Sequence, residues 1–217
     1  MYVRVRIIFG IFLFLLIVIL CGCQNTYYSV WEKFGKEKRH LLRDKVSEVQ
    51  TQQEKASEEF KDVLTRIKEL YGFQGGELET FYSRLRDDYD ACETRAESIK
   101  KRIDQVETIA KDLFIEWGAE IDQITDRNLK LKSKKSLEGT KIRYANLKKS
   151  MDKAWSSMEP ILIHLKDYVL YLKHNLNAQA IGSLKQEVIQ IETEVGELIL
   201  DMENSIVEAD VFLRDFQ

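Results

Sequence analysis

Apolar residues recur along most of this chain in steps of four and three, the spacing that lays a stripe along an α-helix. The first stripe reads Leu42, Val46, Val49, Gln53, Ala56, Phe60, Val63, Ile67, Leu70 and predicts a helix over about 28–71. Gln53 alone interrupts it, and a single polar residue at such a position fixes pairing register. Gly72-Phe73-Gln74-Gly75-Gly76 then stops the helix, and Glu77 opens the next. The second stripe (Leu78, Tyr82, Leu85, Tyr89, Cys92, Ala96 and on through Ile99, Ile103, Val106, Ala110, Leu113 to Trp117) predicts a helix over about 77–131. After Trp117 the steps to Ile121 and Ile124 form a stutter, which unwinds a supercoil locally. Lys132 to Thr140, with two Ser, a Gly and several Lys, reads as the second turn.

The third stripe runs Tyr144, Leu147, Met151, Ala154, Met158, Ile161, Leu165, Tyr168, Leu172 and predicts a helix over about 140–174. Pro160 lies inside it. Because the stripe stays in phase, a kink is expected rather than a break. Asn175 to Gly182 reads as the third turn, and Ser183 with Gln186 as a capping box opening a helix over about 183–215. No period-two alternation appears. Four heptad stripes joined by short turns give an all-α chain, an elongated antiparallel four-helix coiled-coil bundle in one domain, 23–217.

Ahead of the bundle, Ile7 to Leu20 is an uninterrupted apolar run with one Gly, preceded by Arg4 and Arg6. Its length suits the core of a signal peptide and falls short of the ~18–20 residues that span a bilayer. Leu20-Cys21-Gly22-Cys23 closes the run and resembles a bacterial lipobox. That resemblance implies cleavage of residues 1–22, lipidation of Cys23 (including palmitate) and a membrane-anchored mature chain. Cys21 departs from the Ala or Ser common at its position. The competing reading is an uncleaved anchor helix. Among similar Gram-negative lipoproteins an Asp after the lipidated Cys favours inner-membrane retention. Gln24 here implies the outer membrane, with the chain facing the periplasm.

Removing residues 1–22 takes two Arg and no acids, which leaves 31 Lys and Arg against 36 Asp and Glu, a net charge of −5. Nothing in that balance points to nucleic acid. Topology places the second turn at the anchored end, where Lys130, Lys132, Lys134 and Lys135 form a basic cluster joined by Arg39 and Arg43. Contact of that end with lipid headgroups and an ordinary solvated turn stand as equal alternatives. Tyr27, Tyr28, Trp31 and Phe34 either sit at headgroup level or cap the base of the core.

Signals for catalysis are absent. No phosphate loop, dinucleotide fingerprint or His-Glu-x-x-His motif occurs. Glu37-Lys38-Arg39-His40 has the Glu-x-x-His spacing of di-iron bundles but no second copy, so neither a metal nor another cofactor is expected, and no enzyme. Cys92, the one thiol left after lipidation of Cys23, falls in the second stripe and reads as a small core residue.

The stretch Leu70-Tyr71-Gly72-Phe73-Gln74-Gly75-Gly76-Glu77-Leu78-Glu79, the lipobox and Ala180-Ile181-Gly182-Ser183-Leu184 together resemble a family of Gram-negative lipoproteins catalogued as a domain of unknown function. The resemblance implies a helical, lipid-anchored protein and supplies no catalytic residue. The expected role is a structural or protein-interaction rod of the cell envelope. Phe73 and Gln74 would offer a partner contact at the far tip, although Phe73 folded back on the core fits as well. Self-association is a further way to pair such a rod. The alternative is a lipid-binding or membrane-remodelling module that uses the basic end.

Overall fold

The computed structural model describes residues 38–72, 78–175 and 177–216. The chain divides into two compact units, Met1–Leu41 and Leu42–Gln217. Of the first, only Lys38 to Leu41 is described, as the opening residues of a helix. The described residues are all-α: α1 (Lys38–Gly72), α2 (Leu78–Gln123), α3 (Arg127–Ser156), α4 (Met158–His174) and α5 (Ala178–Asp215). The apolar run with Leu20-Cys21-Gly22-Cys23, the aromatic group 27–34, Glu37, and Phe73 and Gln74, which were expected at a tip, lie outside the described residues.

In the second unit α3 and α4 follow each other with only Ser157 between them. Ion pairs fix the antiparallel order. Arg66 and Arg95 on α1 and α2 reach Asp88 and Glu59 in turn, the second as a bidentate contact with a shortest distance of 2.6 Å. Lys68 meets Glu192 on α5 at 2.5 Å, and Gln50 donates to Asp210 at 2.8 Å. Lys148 on α3 meets Glu107 on α2 at 3.4 Å. Exposed pairs of this kind contribute about 0–1 kcal/mol each, so they select partners more than they stabilise. At ~1.5 Å per residue, the 46 residues of α2 run about 69 Å.

The predicted stripes form the core. Every residue of the first, from Leu42 to Leu70, is at most 1% exposed, Gln53 included. Along α2 the stripe from Leu85 to Ala110 is buried. At its start Phe81 enters the core while Leu78 and Tyr82 are only half-buried, and Ile109 also joins.

Three expected boundaries are corrected. The second helix ends at Gln123 rather than about 131, and the turn is Ile124-Thr125-Asp126. Asp126 caps the next helix, its side chain accepting from the Leu129 N–H at 2.8 Å, which satisfies a first-turn donor. The segment 132–140 is therefore helical, and Leu137 and Thr140 extend the core stripe of α3 toward its start. The last helix begins at Ala178, so Ser183 is a helical residue and not a cap.

The third predicted helix is two helices separated by Ser157. Ser157 keeps helical dihedrals (φ −72°, ψ −14°), and its N–H donates to the Lys153 carbonyl at 3.0 Å. Pro160 has no N–H to offer the Ser156 carbonyl, and its ring crowds that group. The chain answers by restarting, with Pro160 in the first turn of α4 where free N–H groups occur in any helix. Ala154, Met158 and Ile161 stay at most 1% exposed across the joint, so the core stripe runs on although the helix is divided where a single kinked helix was expected.

Candidate functional site

Two places gather polar chemistry: the outer face of α3 near the α2–α3 turn, and a buried layer at mid-height. Lys130, Lys132, Lys134 and Lys135 lie on α3 and not in a loop. The turn at 124–126 stands at the Leu42 end of the second unit, because α2 runs antiparallel to α1. Lys130 is held back by α2, donating to the Asp122 carbonyl at 3.0 Å. Lys132, Lys134 and Lys135 are exposed. Trp117 donates from its ring nitrogen to the Ser133 hydroxyl at 3.1 Å and ties the two helices together beside the turn.

The mid-height layer was missed in the sequence. Asp201 stands among the acids of the last helix, yet it is 8% exposed. Lys153 contacts its Oδ1 at 2.5 Å, and the Ser157 hydroxyl donates to its Oδ2 at 2.7 Å. The carboxylate thus pins the α3–α4 joint to α5. One turn along α5, Ser205 is fully buried with its hydroxyl unpartnered, and Gln53 is fully buried with both amide atoms unpartnered. The pairings of 50 with 210 and 68 with 192 set Gln53 and Ser205 at about the same height. The signal for this layer was Gln53 in the stripe. Asp201 gave none, because it follows Leu198 and precedes Met202 as any flanking acid would.

No group of three or more His, Cys, Asp and Glu among the described residues could hold a metal ion. His40 is exposed, and His164 bridges α4 to α5 through Glu194 at 2.9 Å. A surface groove of about 470 Å³ between α1 and α5 is lined by Arg43, Asp44, Ser47, Asp210, Leu213 and Arg214. Its two cations and two anions balance. No nucleophile in it is paired with a base.

Cys92 is fully buried, and burial pushes its thiol up to about 12, with Glu59 and Asp88 adding to the rise. At pH 8 only roughly one thiol in 10⁴ would then be ionised, and the thiolate is the reactive form. We expect no labelling of Cys92 by a thiol reagent at pH 8 in the folded chain and complete labelling in denaturant. Rapid native labelling would place Cys92 outside the core.

A family described as "Protein of unknown function (DUF2959)" matches residues 27–216. The chain belongs to this family. The match covers every described helix of the DUF2959 chain and starts after Cys23. No curated protein and no solved structure matches it.

Proposed function

We propose that this DUF2959 chain is a lipid-anchored periplasmic rod, a structural or protein-interaction component of the bacterial cell envelope and not an enzyme. The observation that carries this reading is Leu20-Cys21-Gly22-Cys23 at the end of the apolar run from Ile7. Two features support it. No described helix is long and apolar enough to cross a membrane, so attachment would fall to the N-terminus. The helices are long and joined by short turns, which suits a spacer that holds a surface away from its anchor. Phe73 and Gln74, which lie between α1 and α2 in the sequence, are the proposed partner contact.

Metabolic labelling with a palmitate analogue tests the anchor. The wild-type chain should take up label and fractionate with outer membranes. Cys23→Ser should lose the label and accumulate as the longer precursor. Unchanged processing and labelling in Cys23→Ser would remove the lipoprotein reading and leave the helical fold untouched.

A second reading, lipid binding through the basic end, is favoured by the charge of α3. That helix carries ten Lys and Arg against Glu138 and Asp152 alone, whereas α5 is strongly acidic.

A further inference from the structure

We infer that the outer face of α3 is a docking surface for an anionic phospholipid bilayer, so that the bundle lies along the membrane on this helix instead of touching it at one end only. The inference rests on the membrane-anchored reading above and deepens its second form.

Residues 131, 135, 138, 142, 145 and 149 share one strip of α3, since they follow the helical steps of four and three. This strip faces away from the core stripe of Leu137, Thr140, Leu147 and Met151. Leu131 is 58% exposed and Ile142 is 64% exposed. Both are large aliphatic side chains that are more than half exposed. Lys135 and Lys149 lie on the same strip, and Lys132 and Lys134 flank it, all exposed. From 131 to 149 the strip extends about 27 Å along the helix.

The neighbours explain why these cations remain available. The other lysines of α3 are engaged: Lys130 with Asp122, Lys141 with Glu138, Lys148 with Glu107 and Asp152, and Lys153 with Asp201. Acidic α2 and α5 flank α3, yet Lys132, Lys134, Lys135 and Lys149 point past them. What remains is a helix face with cations and large aliphatic side chains interleaved. Such a face complements an anionic headgroup layer above an acyl boundary, with lysines at the phosphates and Leu131 and Ile142 below them. A purely electrostatic partner would leave the aliphatic residues unexplained.

The competing occupant is a second copy, whose acidic α5 exposes Leu200 at 59% and Val207 at 58%. One experiment separates the two. An environment-sensitive fluorophore is placed at Ala145→Cys on the strip and, in a separate chain, at Glu203→Cys on the exposed side of α5. Each full-length chain is reconstituted into phosphatidylcholine vesicles with and without phosphatidylglycerol. Flotation with vesicles of either kind reports the anchor. The expected result is a blue shift and quenching by lipid-borne spin labels at position 145, in phosphatidylglycerol vesicles only, with none at position 203.

Lys132→Glu, Lys134→Glu and Lys135→Glu combined should abolish that shift without changing flotation. Leu131→Ser with Ile142→Ser, which removes no charge and no core residue, should also reduce it. Chains that float while position 145 stays as wet as 203 would overturn the docking surface and leave the anchor standing. A blue shift at position 145 that appears in detergent and grows with protein concentration would assign the strip to a second copy and equally overturn the inference. Chains that fail to float in any vesicle would overturn the anchored reading itself.

Discussion

Phe212→Ala should lower the unfolding free energy by about 3–5 kcal/mol, the range for removing a buried Phe when the core cannot collapse around the space. Phe212 is 1% exposed and stands inside a chain of aromatic contacts. It stacks on Phe216 at 4.8 Å between ring centres and meets the edge of Tyr144 at 6.2 Å, and Tyr144 meets Phe114 at 5.5 Å. Phe114 is on α2, Tyr144 on α3 and Phe212 on α5, so Tyr144 joins three helices and Phe212 supplies the α5 side of that join. Little can fill the gap. The Tyr144 hydroxyl is already buried without a partner, and burial holds it well above the ordinary phenol range. Each aromatic pair adds about 0.5–1.5 kcal/mol beyond area burial, which puts the change toward the upper end. For a chain of this size the midpoint of thermal unfolding should fall by about 6–20 °C. Leu200→Ala, at a residue 59% exposed, is the control and should move stability by less than about 0.5 kcal/mol. If Phe212→Ala changes stability no more than the control does, the end of α5 is not packed on α3 as described.

The heptad stripes were legible because each core contact depends on a residue type at fixed spacing. From Leu42 to Leu70 every residue of the sequence stripe is buried, and Ser57 is buried beside it. The α2–α3 turn was misplaced because it carries no Gly or Pro. It is made by Thr125 and the Asp126 cap, whereas Gly139 and the serines of 133–136 are absorbed into α3. Lysine and leucine between them favour the helix, and Leu137 and Thr140 gain core burial by staying in it. The stutter after Trp117 carried the missing information, because the stripe loses phase where α2 is about to end. Pro160 was easier, since its effect on the preceding carbonyls is local. The basic residues 130–135 were expected in or beside a turn, whereas the structure places them on α3. A loop scatters its side chains, while a helix lines up Lys135 and Lys149 with Leu131 and Ile142 on one face. Asp201 was illegible because its burial depends on Lys153 and Ser157, which come from another helix and meet it only in the folded bundle.

Gln53→Leu should raise stability by about 1–3 kcal/mol, the range for leaving a buried polar group without partners. The Gln53 side chain is 0% exposed and neither Nε2 nor Oε1 is hydrogen-bonded, so its solvation is lost with no return. Leucine has nearly the same volume and needs no partner. Ser205→Ala removes a second unpartnered group and should add a smaller gain. Denaturant unfolding of the full chain in detergent measures both, and a fall in stability for Gln53→Leu would show that the amide has partners and sink this account. The gain should come with a loss of specificity. Each stripe repeats every seven residues, so α1 and α5 could also pair one heptad out of step with most apolar layers intact. In the native alignment Gln53 stands at about the height of the Ser205 hydroxyl, a polar neighbour though not a hydrogen-bond partner, whereas one heptad out of step it would stand level with Leu198 or Phe212, hydrocarbon alone. Gln50 and Asp210, in contact at 2.8 Å, report the native alignment. With Gln50→Cys and Asp210→Cys, oxidation should give one crosslinked product in the parent chain. In the Gln53→Leu background the crosslink should form less completely although the chain is more stable. A complete crosslink there would mean that the ion pairs and aromatic contacts hold the alignment without the amide.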